Sequence, residues 1–331
     1  MLSKEVESLL NIPNYYHDEF NLTTMVSYWC IIENLLEIIN PTSVCEIGAE
    51  RGITSKQLAL YCQHNQISLN IVDPYGVDLN LEYFETLRVF KERSKDFLHR
   101  EIPIDFYLID GDHNYRTVMM ELELGVRNKK NKQMPFFILH DVSWPFAYRD
   151  LYFDYIEEGI EVQHSYKTNT ALSIDSDELM KIGFPVSQTF AVATKFGGGH
   201  NGVLQAVEDF RKNSGEKHWY FWKIQNLYGL GVLFHKSSLS EIKAGKIIKF
   251  LDGIEPFRPL LNILEANRLR ILQSLFELQA RQKSISTERD SEHIYIKDLE
   301  NRLAELSNSW ENQQSYISIL EERLNSSLSR L

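Results

Sequence analysis

The chain has 331 residues, 43% of them hydrophobic, enough to bury one full core with a further segment beyond it. A net charge of −11 with no block of lysine or arginine argues against a nucleic-acid surface, which needs clustered positive charge. No apolar run reaches the length of a membrane span, the N-terminus carries no signal-peptide pattern, and three cysteines without a CxxC pair indicate neither a disulfide framework nor a zinc site. A reducing, cytoplasmic setting is expected.

Residues 1–40 read as helical, with Trp29, Ile31, Ile32, Leu35, Leu36 and Ile39 on one apolar face that ends before Pro41. Val44–Ile47 follows as a short apolar strand. The chain then breaks at Gly48, turns through Gly52 and enters a helix from Ile53 to His64. Such a turn lets a ligand approach the backbone and the unpaired N–H groups of the helix start. Ser68–Val72 is a second strand, and an amphipathic helix is expected from Leu81 to Lys91. Phe106–Ile109 is a third strand, Tyr115–Arg127 a helix, and Phe136–Leu139 a fourth strand. Strands alternating with helices at this spacing predict a doubly wound α/β fold with a mostly parallel sheet.

Ligands of such sheets sit at the carboxyl ends of the strands. Here those ends carry Glu46, Asp73, Asp110 and the pair His140–Asp141. From Trp144 to Gly199 the pattern turns irregular and aromatic, and reads as an insertion or lid over the strand ends rather than as sheet. Asn201–Arg211 is predicted helical. Trp219–Ile224 and Gly231–His235 are predicted to form an antiparallel hairpin at one sheet edge.

Beyond Phe257 glycine disappears, and a seven-residue spacing runs through Ile296, Leu303, Trp310, Ile317, Leu324 and Leu331. A second runs through Leu299, Leu306, Gln313 and Leu320. Together they make a seam of about five heptads, which predicts an α-helical coiled coil and a homo-oligomer, dimer or trimer. A helix folded back on its own domain is the alternative. The seam is still running at Leu331, which leaves open whether the chain is a piece of a longer protein. The expected organisation is therefore a helical segment over 1–40, an α/β domain over 41–256 and a helical tail over 257–331.

Asp73 ends the second strand, where a carboxylate can accept hydrogen bonds from both hydroxyls of a ribose. Capping of the turn before Pro74 is the plainer role. GxxxxGK[ST] is absent, and the loop after the first strand reads GAERG, a GxxxG spacing rather than GxGxxG, which speaks against ATP cradling and dinucleotide chemistry. The run DFYLIDGDHNY places Asp110, Asp112 and His113 at one strand end, and FFILHDVSWP places His140 and Asp141 at the next. Such a cluster can hold a divalent ion or supply a general base. Turn formation and helix capping by Asp112 or Asn114 would also account for part of it.

In this order, EIGAERG, VDPYG, LIDGDHNY and LHDVSWP resemble the motifs of class I S-adenosylmethionine (SAM)-dependent methyltransferases. More narrowly, they are similar to the branch with IDGDHxY and HD motifs, associated with O-methylation of deoxysugars and cell-surface glycans such as O-antigen. NGVLQAVEDF, LYGLGVLF and HDVSWPFAYRDLYFD resemble pieces of its glycan-associated members. The resemblance covers about residues 40–236 and leaves the tail outside it. It implies a seven-stranded sheet with a reversed last hairpin.

Residue by residue, Glu46, Gly48 and Gly52 match the cofactor loop, Asp73 the ribose acid and Ser94 the adenine-contacting segment. Asp110, also counted with the cofactor set, and Asp141 match positions that bind magnesium in related sugar methyltransferases. His140 stands where several of those carry an acid, so a metal set would be Asp110, His140 and Asp141. The loop departs from GxGxG, with Ala49-Glu50-Arg51 between its glycines. The resemblance implies SAM as cofactor, with Mg2+ as a second candidate. His113 is the first choice as catalytic base and His140 the second, with Asp141 beside them. Rings of Trp144–Tyr155 would stack on a sugar acceptor or pack as a lid.

Three functions fit. The first is an enzyme that methylates a sugar hydroxyl of a surface glycan or its precursor and ends chain growth. It would associate with glycosyltransferases and lie peripherally at an inner membrane through those partners. The second is an inactive SAM-binding scaffold acting through its coiled coil. The third is a small-molecule O-methyltransferase.

Overall fold

A computed structural model describes residues 25–77, 84–128, 133–153, 155, 162–186 and 189–328. The first part of the expected 1–40 helical segment lies outside them. A 3-10 turn, Met25–Tyr28, leads into helix α1, Trp29–Ile39, which buries the six apolar residues of its predicted face. The helix stops at Asn40, a left-handed residue whose N–H donates to Leu36 O at 2.7 Å. Pro41 could not have continued it.

Next come β1 (Ser43–Ile47), α2 (Ile53–His64), β2 (Ser68–Val72), β3 (Leu87–Phe90), α3 (Ser94–Leu98), β4 (Phe106–Ile109), α4 (Tyr115–Arg127) and β5 (Phe136–His140). The helix expected over Leu81–Lys91 is corrected. Residues 81–83 lie outside the described residues, and Leu87–Phe90 is a strand whose Leu87 pairs with Leu69 and Phe90 with Val72. Leu81, Phe84 and Leu87 recur at helical spacing, but the β-branched and aromatic run LRVF completes the free edge of β2.

The segment read as irregular also holds sheet. Strands β6 (Leu151–Tyr152), β7 (Tyr166–Lys167) and β11 (Ala191–Ala193) form one three-stranded sheet. Strands β8 (Thr170–Ser173), β9 (Ser176–Met180) and β10 (Phe184–Val186) form another. Helix α5 (Val203–Asn213), the hairpin β12 (Trp219–Ile224) and β13 (Leu230–His235), and α6 (Glu241–Asp252) complete the α/β part.

The main sheet has seven strands in the order β12-β13-β5-β4-β1-β2-β3. All neighbours pair in parallel except β13, which runs antiparallel to both β12 and β5. This is the doubly wound, seven-stranded arrangement with a reversed last strand that the motifs implied. Strands β1, β4 and β5 are buried along their whole length, as parallel strands covered on both faces must be. Alternate residues feed two cores: Val44, Leu69, Phe106 and Ile138 on one face, Cys45, Tyr107, Phe137 and Leu139 on the other. Ile47 pairs with both Val72 and Ile109, and Ile109 pairs with Leu139. The strands therefore end in one row.

The tail is a single helix, α7 (Arg258–Leu328). The division between the two compact units falls between Gln273 and Ser274, so the start of α7 belongs with the sheet and the expected boundary at 256 moves. Leu272 and Glu265 are buried there. The seam residues Ile296, Leu299, Leu303, Leu306 and Trp310 are exposed. The side chains of Gln313, Ile317, Leu320 and Leu324 lie outside the described residues. No described helix is long and apolar enough to cross a membrane.

Candidate active site

The strand order reverses between β1 and β4, and the residues following these strands and their neighbours form one cluster. Gly48 makes the close approach. Its φ is 85°, and a Cβ there would lie 2.3 Å from Asp110 O. Only glycine lets the loop after β1 cross the end of β4. Gly52, with φ 74°, starts α2.

Asp73 ties this loop to β2. Its Oδ2 accepts from Ala49 N at 2.9 Å and Glu50 N at 3.2 Å, and its Oδ1 accepts from Tyr75 N at 2.9 Å. The carboxylate is thus first an anchor for the glycine loop. Further acceptor capacity on Oδ1 is what remains for a ligand hydroxyl.

Glu46 lies beneath the loop, almost fully buried, with Oε2 lacking a hydrogen-bond partner. Burial pushes its carboxyl up to about 8, with the Ser55 hydroxyl opposing and Asp110 and Asp73 adding. Ser94, expected near adenine, acts on the buried Glu121 carboxyl of α4, opposing its upward shift.

Asp110, His140 and Asp141 each offer one ligand atom, and these three atoms lie within 4.8 Å of one another. His140 Nδ1 is 3.0 Å from Asp110 Oδ1 and 3.0 Å from Asp141 Oδ2, while Nε2 is 3.1 Å from Leu227 O. A carbonyl and two carboxylates can only accept, so both ring nitrogens carry protons in this arrangement. Burial disfavours that charge, but Asp110 and Asp141 outweigh it and hold the imidazole well above its ordinary range. Burial likewise pushes Asp141 up, and the two histidines more than offset it, leaving the carboxyl low. In that charged form His140 donates to both carboxylates and to the carbonyl. Asp141 has φ 58°, an uncommon backbone for a non-glycine residue that aims its carboxylate back at the cluster.

His113 stands at the rim. Its Nδ1 is 3.2 Å from Asp141 Oδ2 and its Nε2 3.6 Å from Asp110 Oδ1. The rings of Phe146 and Phe153 lie against it at centroid distances of 5.7 and 5.3 Å. Asp112 belongs elsewhere: its Oδ2 accepts from Asn114 Nδ2 and Thr117 Oγ1, while Asn114 caps α4 by accepting from Thr117 N. Burial raises Asp112 to about 6, with His113 and Thr117 opposing. The capping alternative for that pair is what the structure bears out.

Sequence reasoning missed two supports. Asp150 accepts from Tyr115 N and Gly202 N, and Leu151 N donates to His113 O, so the segment 150–151 clamps the His113 loop. Asp150 lay within the aromatic run as an undistinguished acid. Leu227 contributes only a main-chain carbonyl, which leaves no signature in sequence.

No protein-family model and no curated protein matches the chain. Among solved structures it is similar to an O-methyltransferase from Bacillus cereus in complex with S-adenosylhomocysteine (SAH), at 12% identity and TM-score 0.37, covering 70% of this chain and 88% of that one. It is also similar to an SAH-bound methyltransferase from Podospora anserina, at 10% identity and TM-score 0.39, covering 71% and 97%. A methyltransferase of the mycinamycin biosynthetic pathway in complex with Mg and SAH matches at 14% identity and TM-score 0.28, over 42% and 36%. Likenesses this distant assign no activity, and the functional reading rests on the strand order and the side chains themselves.

Proposed function

We propose that the chain is a SAM-dependent O-methyltransferase acting on a sugar hydroxyl of a surface glycan or its precursor, where the methyl group ends chain growth. The observation that supports it most is the His113–Asp141–Asp110–His140 cluster beside the glycine loop at the reversal of strand order. Acids at the strand ends suit a cationic sulfonium cofactor that has no phosphate to cradle. Asp73 and the Gly48 loop would hold its ribose and backbone.

SAM supplies the methyl group: the acceptor oxygen forms the new C–O bond as the C–S bond breaks, its electron pair leaving on sulfur as the thioether. The chain's own task is to position that oxygen and take its proton. His113 is placed for this. Asp141 Oδ2 lies 3.2 Å from its Nδ1, on the side from which a carboxylate would orient the ring toward an acceptor. Phe146 and Phe153 offer apolar rings beside it, which suit the C–H faces of a sugar. On losing its Nδ1 proton, His140 could join Asp110 and Asp141 around a divalent ion, its other nitrogen held on the Leu227 carbonyl. Such an ion would lower the acceptor's pKa.

The exposed apolar seam of α7 supports self-association, dimer or trimer, and a docking role beside glycosyltransferases. The test is transfer of labelled methyl from SAM to glycan extracts, run with EDTA and with added magnesium. Label in a sugar fraction, lost in EDTA and restored by magnesium, is expected. Full transfer in EDTA would remove the ion and leave the histidine route. SAM binding without transfer would favour the scaffold.

A further inference from the structure

The start of α7 grips one feature of the catalytic face. The turn between β12 and β13 holds two consecutive left-handed residues, Leu227 with φ 48° and Tyr228 with φ 68°. Gly229 follows with φ 99°, so close to Ser143 that a Cβ would lie 2.7 Å from Ser143 N. Ser143 N donates to Tyr228 O at 2.8 Å, pinning the turn two residues beyond Asp141. Within this turn Leu227 O meets His140 Nε2 at 3.1 Å. That contact keeps a hydrogen on Nε2 and turns Nδ1 toward Asp110 and Asp141. Because the acceptor is main chain, the ring's orientation depends on where the turn sits.

Contacts from α7 set that position. Arg258 Nη1 donates to Lys223 O at 2.8 Å and to Gln225 Oε1 at 2.9 Å. Asn226 Nδ2 donates to Leu261 O. The Arg268 guanidinium lies 5.1 Å over the Tyr228 ring and is held bidentately by Glu265 at 2.8 and 2.7 Å. From the other side Tyr28 OH donates to Asn226 O, and its ring meets His140 edge-on at 6.2 Å. Non-glycine residues in left-handed backbone persist only where their surroundings over-determine them.

We propose that Arg258–Gln273, the first turns of a helix otherwise shaped for self-association, is a positioning segment of the catalytic centre. Through Arg258, Leu261 and Arg268 it fixes the Gln225–Gly229 turn, and through Leu227 O it orients His140 on the Asp110/Asp141 pair. The proposal rests on the reading of that cluster as the catalytic centre. It implies that the sheet alone, cut before Arg258, lacks an ordered His140.

The test uses the full chain and the imidazole proton and nitrogen resonances of His140 in NMR, assigned with His140→Gln. Wild type should show a slowly exchanging Nε2–H. In Arg268→Ala and in Asn226→Ala that proton should exchange at least about tenfold faster, as expected when one buried hydrogen bond is loosened. SAH affinity, set on β1 and β2, should stay within about twofold in both. Arg270→Ala, on the exposed side of the same helix, should match wild type. A His140 Nε2–H as protected in Arg268→Ala and Asn226→Ala as in wild type would overturn the proposal. If the resonances behave as expected while His140→Gln turns over normally, the positioning stands and the catalytic reading of the cluster fails.

Discussion

Glu121 sits fully buried in α4, and burial raises its carboxyl to about 8, with Ser94 opposing and Asp112 adding. Against an ordinary value of 4.5, the folded chain binds a proton more tightly than the unfolded chain. Its contribution is therefore complete below about pH 4.5 and is lost as the pH rises through about 8. Glu121→Gln removes that dependence and should be more stable than wild type at pH 9, by on the order of 3 kcal/mol. Denaturant titrations at pH 5 and 9 check it, and an unchanged pH slope in the variant would contradict it. Asp73 belongs to the same scale. Asp73→Ala removes the anchor of Ala49 N and Glu50 N together with the proposed ribose acceptor. Charged hydrogen bonds are worth about 1.5–3 kcal/mol, so SAM should bind at least about tenfold more weakly by calorimetry. Unchanged affinity in a folded variant would displace the cofactor from this loop.

At the scale of elements, the Gly48 turn decides whether β1 and β4 can end side by side. Gly48→Ala forces a Cβ to within 2.3 Å of Asp110 O at φ 85°. It should lose about 3 kcal/mol or more in thermal or chemical unfolding, and a wild-type melting curve would contradict the packing described. The four strand ends were legible because apolar runs stop abruptly at charged residues. Strand β3 was not, since Leu81, Phe84 and Leu87 share the three-residue spacing of a helix face while only pairing with β2 decides the outcome. The short strands of residues 151–193 are two to five residues long, too brief to show a period. Asp112 and Asp110 stand in one motif, yet only hydrogen-bond geometry separates the acid beside Asn114 and Thr117 from the acid that meets His140. The turn at Leu227 acts through its backbone and has no side-chain signal.

For the whole molecule, α7 carries two faces. Leu261, Glu265, Arg268 and Leu272 face the sheet body, whereas Leu264, Ile271, Leu275, Leu278 and Ile285 are exposed. Those exposed residues fall in the same heptad frame as Ile296, Leu299, Leu303 and Leu306, with Gln282, Arg289 and Glu292 interrupting. The sequence pattern alone showed the later half. Helical spacing does not distinguish the face that packs on the domain from the one left open. Burial of each seam side chain contributes about 1.5–3 kcal/mol, which favours pairing with a second copy. Light scattering should find a dimer or trimer for the full chain and a monomer for a version ending at Gln273. Two monomers would contradict self-association through α7.

The central claim is that His113, backed by Asp141, removes the acceptor's proton while the Gly48 loop and Asp73 hold the cofactor. The most direct test is turnover of His113→Ala at saturating SAM, once an acceptor fraction takes label from wild type. A general base contributes about 100- to 10,000-fold, so kcat should fall by at least the lower figure while SAH binds as in wild type. Wild-type turnover by His113→Ala would contradict the account.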